Sequence, residues 1–267
     1  MRMAYALRIW YALSVWHTHL SDRPPGAVMH TTIDSPPPVS ARRRPWWRRR
    51  WTVPLGLVTA GFLAFSLPPY LTGNPSLSRV PQPEGFGLHY PLLVAHVLFA
   101  TVAMVTAFFQ VWPWFRRRHP AWHRRAGRVY VFAGVLPAGL TGLVIGARTP
   151  FGPFLAVSDV LLALLWLAFT VSGWRAARAR RYADHRRWML RSAVLTYSII
   201  TNRLWTGILI IALPPLQDTV FHGDPDLMAW TISGLSGWLG WTIPLLAVEW
   251  YLEREVARRG RRTALAT

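Results

Sequence analysis

The sequence predicts an all-α, polytopic membrane protein with six transmembrane helices, and three observations carry that prediction. Apolar runs of about 20 residues, the length a helix needs to cross a hydrocarbon core, recur six times. Charge lies between these runs: the 267-residue chain is 52% hydrophobic yet carries a net charge of +19, and all 30 basic residues are Arg. A soluble domain rarely combines such a charge with a mean hydropathy of +0.22. Finally, many of the 16 Trp residues stand near the ends of the runs, where amphipathic rings favour the headgroup level. An unpaired backbone amide costs several kcal/mol in lipid, so runs of this length must be helices.

Three regions follow in order. Residues 1–50 read as a disordered, basic cytoplasmic segment. Met1 to Leu20 holds a short apolar stretch interrupted by Arg8, too short to span and without a small-residue cleavage motif. SerAspArgProProGly and SerProProProValSer then read as linker, and translation is expected to begin at Met29, leaving residues 1–28 untranslated. Residues 51–252 form the transmembrane domain, with helices from Trp51 to Leu71, Tyr90 to Phe115, Val129 to Ala147, Phe151 to Trp174, Met189 to Leu213 and Leu227 to Leu252. Residues 253–267 form a basic cytoplasmic tail.

Arg alternates along the connections. Six lie in 42–50, one (Arg79) between Leu71 and His89, six between Arg116 and Arg128, and one (Arg148) in the next turn. Seven follow between Arg175 and Arg191, none between Pro214 and Asp226, and five after Leu252. Flanking positive charge marks the cytoplasmic side, so both termini are expected there, in a bacterial plasma (inner) membrane. The net charge thus reads as a topology signal and a contact for anionic lipid headgroups, not as a nucleic-acid site. Trp46, Trp47, Trp51, Trp112, Trp114, Trp174, Trp188, Trp230 and Trp250 read as an interfacial belt.

Two Arg-rich connections resemble each other. ProTrpPheArgArgArgHisProAlaTrpHisArgArgAlaGlyArg (113–128) and GlyTrpArgAlaAlaArgAlaArgArgTyrAlaAspHisArgArgTrpMet (173–189) each pair an aromatic helix exit with HisArgArg, the two His lying 62 residues apart. That spacing points to duplicated hairpins, helices two and three and helices four and five, forming a four-helix core flanked by helices one and six. Helix three carries Gly134, Gly139 and the stripe Ala138, Gly142, Gly146, spaced for close helix approach. Pro54, Pro137 and Pro244 mark kinks or helix starts.

Several chemistries are excluded or disfavoured. Without cysteine there are no disulfides, thiolate metal sites or Cys nucleophiles. No phosphate loop, GxSxG elbow or nucleotide fingerprint occurs, so a classical hydrolase or transferase is not expected. HisProAlaTrpHis (119–123) has the spacing of a metal pair, but Pro120 disturbs the turn and no Glu accompanies it.

Two polar layers remain. Depth along the predicted helices puts His96, Asp159 and Arg203 in one layer of the outer half. Ionisable groups there are costly and seek partners, so an Asp159–Arg203 ion pair is expected, with His96 and Asn202 nearby. It reads equally as a structural pin between helices four and five and as a ligand or proton-relay site. On the cytoplasmic side, His123 and His185 open helices three and five. Imidazoles so placed can ligate the iron of a haem b, with Arg124, Arg128, Arg186 or Arg191 holding its propionates. The alternative is that both His are interfacial groups contacting phosphates or loops.

The motifs HisArgArgAlaGlyArgValTyrVal (123–131), LeuTrpLeu (165–167) and HisArgArgTrpMetLeuArgSer (185–192), together with Arg203, resemble the bacterial membrane-protein family called domain of unknown function 2306. Its pattern falls here on His96, Gln110, His123, Gly127, Arg128, Tyr130, His185, Arg186, Trp188, Met189, Arg191 and Arg203, with Glu249 and Trp250 in its closing segment. The likeness spans roughly Leu88 to Leu252 and implies a fold group without an assigned activity. A looser likeness to cytochrome b561-type electron carriers implies a His pair at His123 and His185; its second pair fails, because helix four offers Ser158 and Asp159 opposite His96. Two functions follow as expectations. One is a haem b-binding membrane redox protein. The other is a non-enzymatic transporter or lipid- or solute-binding protein using the His96, Asp159 and Arg203 layer. A third possibility is that every polar residue is structural.

Overall fold

The computed structural model describes residues 51–264. The expectations for residues 1–50, including the start at Met29, the Arg cluster and Trp46 and Trp47, lie outside the described residues, as do residues 265–267. Among the described residues there is no strand. The helices are α1 (Thr52–Ser66), α2 (Pro68–Leu71), α3 (His89–Val111), α4 (Pro113–Arg118), α5 (Pro120–Val129), α6 (Leu136–Ala147), α7 (Pro153–Arg178), α8 (Tyr182–Ala212) and α9 (Pro225–Ala264). A π turn, Tyr130–Val135, joins α5 to α6, so that Pro120–Ala147 is one continuous rod.

Five helical segments are long and apolar enough to cross a membrane: α3, the rod Pro120–Ala147, α7, α8 and α9. The run from Trp51 to Leu71, expected as a sixth span, forms a shorter apolar helix followed by a single turn, Pro68–Leu71. Its main helix has 15 residues, rising about 22 Å against a hydrocarbon core of about 30 Å. Pro68 and Pro69 interrupt it, because neither has an N–H to offer the carbonyls of Ala64 and Phe65. The Phe65 carbonyl instead accepts a hydrogen bond from Arg79 Nη2 at 2.8 Å, and that guanidinium lies 3.8 Å from the Phe65 ring centroid.

The helices also overrun the predicted boundaries at the Arg-rich end. The segment 175–191, expected as a connection, is mostly helical: α7 continues to Arg178, α8 begins at Tyr182, and only 179–181 turn, with Arg180 at φ 58°. Hydropathy falls at the first Arg, but helix propensity does not, and neither flank contains Pro or Gly. In the other Arg-rich connection, Pro113 and Pro120 start α4 and α5, each supplying a fixed φ at a position where a missing N–H costs nothing. Within the rod, the N–H of Leu136 reaches the Val131 carbonyl five residues back. This widened turn accommodates Pro137, whose ring cannot follow a regular α turn.

The rod packs on α3 and α7, α7 on α8, and α8 back on α3, forming a four-helix ring; α9 lies along α8 and α7, and α1 rests on α3. Small residues permit the closest approaches. A side chain at Gly134 would meet the Ala103 backbone at 2.9 Å, and one at Gly146 would meet Asp159 Cβ at 2.8 Å. Tyr130, Val135, Ala138, Trp166 and Trp241 occupy the interior, whereas Leu57, Ile211 and Leu246 on the outside are 69%, 81% and 67% exposed. Such an apolar exterior matches a hydrocarbon surround. Trp51, Trp230 and Trp250 of the expected belt are exposed.

Candidate functional site

The interior between α1, α3, α6, α7, α8 and α9 encloses a cavity of about 300 Å³. It lies within the range of small-molecule sites, which are mostly apolar with a few convergent polar groups. Most of the wall is apolar, with Phe62, Leu93, Val97, Leu162 and Ile199 among its residues. The polar part includes His96, Asp159, Asn202 and Arg203, with Ser66, Tyr70, Thr101, Thr196 and Ser198, so the four residues of the expected layer border one space. His96 stands about 10 Å along α3 from His89, Asp159 about 9 Å along α7 from Pro153, and Arg203 about 13 Å from the end of α8.

The expected Asp159–Arg203 ion pair is not formed. The ion pairs of the described residues do not include it, although the two charges are near enough to interact. Asp159 is half-buried and backed by Gly146 of α6, whereas Arg203 is exposed and lies near Tyr70 and Arg79 as well as Asp159. The side chains of Asp159, Asn202 and Arg203 have no hydrogen-bond partner among the described residues. His96 is fixed differently, through Nδ1 to the Ala138 carbonyl at 2.9 Å. That bond requires a proton on Nδ1, so that in the neutral ring Nε2 carries the free lone pair. Gly142 lies against the same ring, where a Cβ would come within 3.1 Å of Cε1.

Beneath the cavity, towards the Arg-rich end, a polar cluster joins three helices. Tyr130 Oη lies 2.6 Å from Ser192 Oγ and 2.8 Å from Thr196 Oγ1. Trp166 Nε1 donates to Thr196 Oγ1 at 3.0 Å, and Thr170 Oγ1 lies 2.6 Å from Ser192 Oγ. The two end hydroxyls also reach backbone carbonyls: Thr170 donates to Trp166 O at 2.7 Å and Thr196 to Ser192 O at 3.0 Å. Buried polar groups so completely satisfied lock neighbouring helices in register. Tyr130 was marked by the family resemblance; its partners were missed. Their signal was the four-residue spacing of Ser192 with Thr196 and of Trp166 with Thr170, which puts each pair on one helix face.

At the Arg-rich end, His123 and His185 each lie in the first turns of their helices, as expected. Both are latched to the preceding helix of their hairpin: Gln110 Nε2 donates to the His123 carbonyl at 2.9 Å, and His185 Nδ1 lies 2.9 Å from the Gly173 carbonyl. The two imidazoles interact electrostatically, and His123 Nδ1 is buried without a hydrogen-bond partner. The four Arg residues assigned to this layer divide. Arg124 and Arg128 are exposed. Arg186 donates to Glu255 at 2.6 Å, and Arg191 grips Glu249 with two bonds of 2.5 and 2.7 Å. With Arg187 and Glu253 at 3.5 Å, these pairs clasp the start of α8 to the last turns of α9.

Apolar helices of membrane-crossing length, with an apolar exterior and ionisable groups gathered on interior spaces, define a multi-pass membrane protein. The chain belongs to the predicted membrane protein family DUF2306, which matches residues 93–251. No curated protein and no solved structure matches it, and the looser likeness to cytochrome b561-type carriers is not shown.

Proposed function

We propose that this protein is a non-enzymatic transporter or solute-binding membrane protein, resident in a bacterial plasma membrane with both ends cytoplasmic, whose ligand occupies the His96, Asp159 and Arg203 cavity. One observation carries this reading: an acid and a base line the same intramembrane space and leave each other unpaired. Each costs roughly 2.5 to 3.5 kcal/mol to place near the middle of a bilayer, and a merely structural pair would recover part of that by closing to contact. The surrounding polar set, His96 Nε2 and the Asn202 amide, adds donors and acceptors around an apolar chamber, the usual composition of a ligand site. Native mass spectrometry of the full-length protein from lipid nanodiscs tests it. The expected result is a retained small-molecule mass that disappears in Val97→Trp, which fills the chamber; the same mass in both proteins, or none in either, refutes the proposal.

A haem b between His123 and His185 is the second reading, favoured by the unpartnered Nδ1 of His123 and by the His185 Nδ1 bond, which leaves its Nε2 free to ligate. Bound there, haem would supply one-electron transfer. Arg124 and Arg128 are the exposed candidates for its propionates, since Arg186 and Arg191 already hold Glu255 and Glu249. Oxidised and dithionite-reduced absorption spectra of protein from haem-replete cells test this. A Soret band lost in both His123→Ala and His185→Ala supports it, and a flat visible spectrum discards it.

A further inference from the structure

The cavity offers more than a place to bind; the arrangement of its charges specifies what kind of molecule it would take. Arg203 is always cationic and presents a planar set of N–H donors suited to a carboxylate or phosphate. Asp159 is the acidic group of the cavity wall, and an ionised carboxylate accepts hydrogen bonds only. The two reach the cavity from different helices, α8 and α7, without closing on each other, so both remain available to a third party. A ligand with one charge would pair with one of them and leave the other without a partner. A ligand carrying both charges a few atoms apart satisfies both. Most of the rest of the wall, including Phe62, Leu93, Val97 and Ile199, is apolar and suited to an alkyl or aromatic tail.

Building on the ligand-binding reading of this cavity, we infer that its ligand is a zwitterionic amphiphile, with an oxyanion at Arg203, a primary ammonium at Asp159 and an apolar tail in the chamber. His96 Nε2, a lone-pair acceptor held in place by the Ala138 carbonyl, is a second acceptor for the ammonium. Two sources share this chemistry: a free apolar amino acid, and an ethanolamine phospholipid whose headgroup carries the same pair of charges.

Three probes with matched tails separate the terms: 2-aminooctanoate, octanoate and heptylammonium. Each is titrated calorimetrically into full-length protein in phosphatidylcholine nanodiscs, which lack a primary ammonium, with empty nanodiscs as the blank. The zwitterion is expected to bind at least 10-fold more tightly than either singly charged probe. Arg203→Gln should reduce that preference over heptylammonium to less than 3-fold, and Asp159→Asn should do the same for the preference over octanoate. Replacing phosphatidylcholine with phosphatidylethanolamine distinguishes the sources: weaker 2-aminooctanoate binding identifies the lipid as a competitor, and unchanged binding identifies the free solute, both within the zwitterion class. Octanoate binding as well as 2-aminooctanoate, with Asp159→Asn without effect, overturns the zwitterion while leaving a ligand cavity in place. No saturable binding of any probe overturns the zwitterion and the ligand-binding reading together.

Discussion

Arg191 and Arg203 lie on the same helix, α8, and meet opposite circumstances. At the Arg-rich end, Arg186, Arg187 and Arg191 are each matched by a glutamate of α9, the last of them by two short parallel bonds. Three turns further along, Arg203 reaches a cavity that also holds Asp159 and does not pair with it. Where charge builds the fold, it is neutralised on contact. Where it borders the cavity, it is left without an ion-pair partner, and this contrast is the physical basis for the proposal that function lies in the cavity.

The contrast can be broken by substitution. Arg191→Ala should have the largest effect on stability, about 2 to 3 kcal/mol, because it removes charge-assisted bonds and strands a half-buried Glu249; thermal unfolding in nanodiscs reads it. Tyr130→Phe should follow at about 1 to 2 kcal/mol, since it deletes the hydroxyl shared by Ser192 and Thr196 and leaves both short of a partner. Gly142→Ala sharpens the other side of the comparison. Its methyl would approach His96 Cε1 at 3.1 Å, so a loss of ligand binding of about 10-fold is expected with little more than about 1 kcal/mol of stability. Arg187→Ala should be the mildest: its pair with Glu253 is largely exposed and worth less than about 1 kcal/mol.

Much of the architecture was legible in the sequence, and the failures have definite causes. Long apolar runs locate helices because lipid leaves the backbone no alternative, so α3, α7, α8 and the rod appear where they were expected. Hydropathy cannot see where a helix stops once it leaves the hydrocarbon. That is why Arg175 to Arg178 and Tyr182 to Trp188 were read as connection and fold as helix. Nor does it register the break in the first run, where Pro68 and Pro69 start a separate turn. For the site, depth arithmetic along three helices put His96, Asp159 and Arg203 in one layer, and all three border the cavity together with Asn202. The expected ion pair is not formed because the rule that buried charges pair does not bind Arg203, which is exposed. The pairing of Arg186 and Arg191 with glutamates was invisible for a different reason: 69 and 58 residues, respectively, separate the partners along the chain, and no local spacing announces such a pairing.

The same rule identifies the most direct measurement. Thermal unfolding of full-length wild type, Asp159→Asn and Arg191→Ala, side by side in phosphatidylcholine nanodiscs, compares removal of an unpaired charge with removal of a paired one. If Asp159 is held for a ligand, Asp159→Asn unfolds at or above the wild-type temperature, because an uncompensated intramembrane charge has been lifted, while Arg191→Ala unfolds below it. A drop for Asp159→Asn as large as that for Arg191→Ala would make Asp159 a structural group and contradict the placing of function in the cavity.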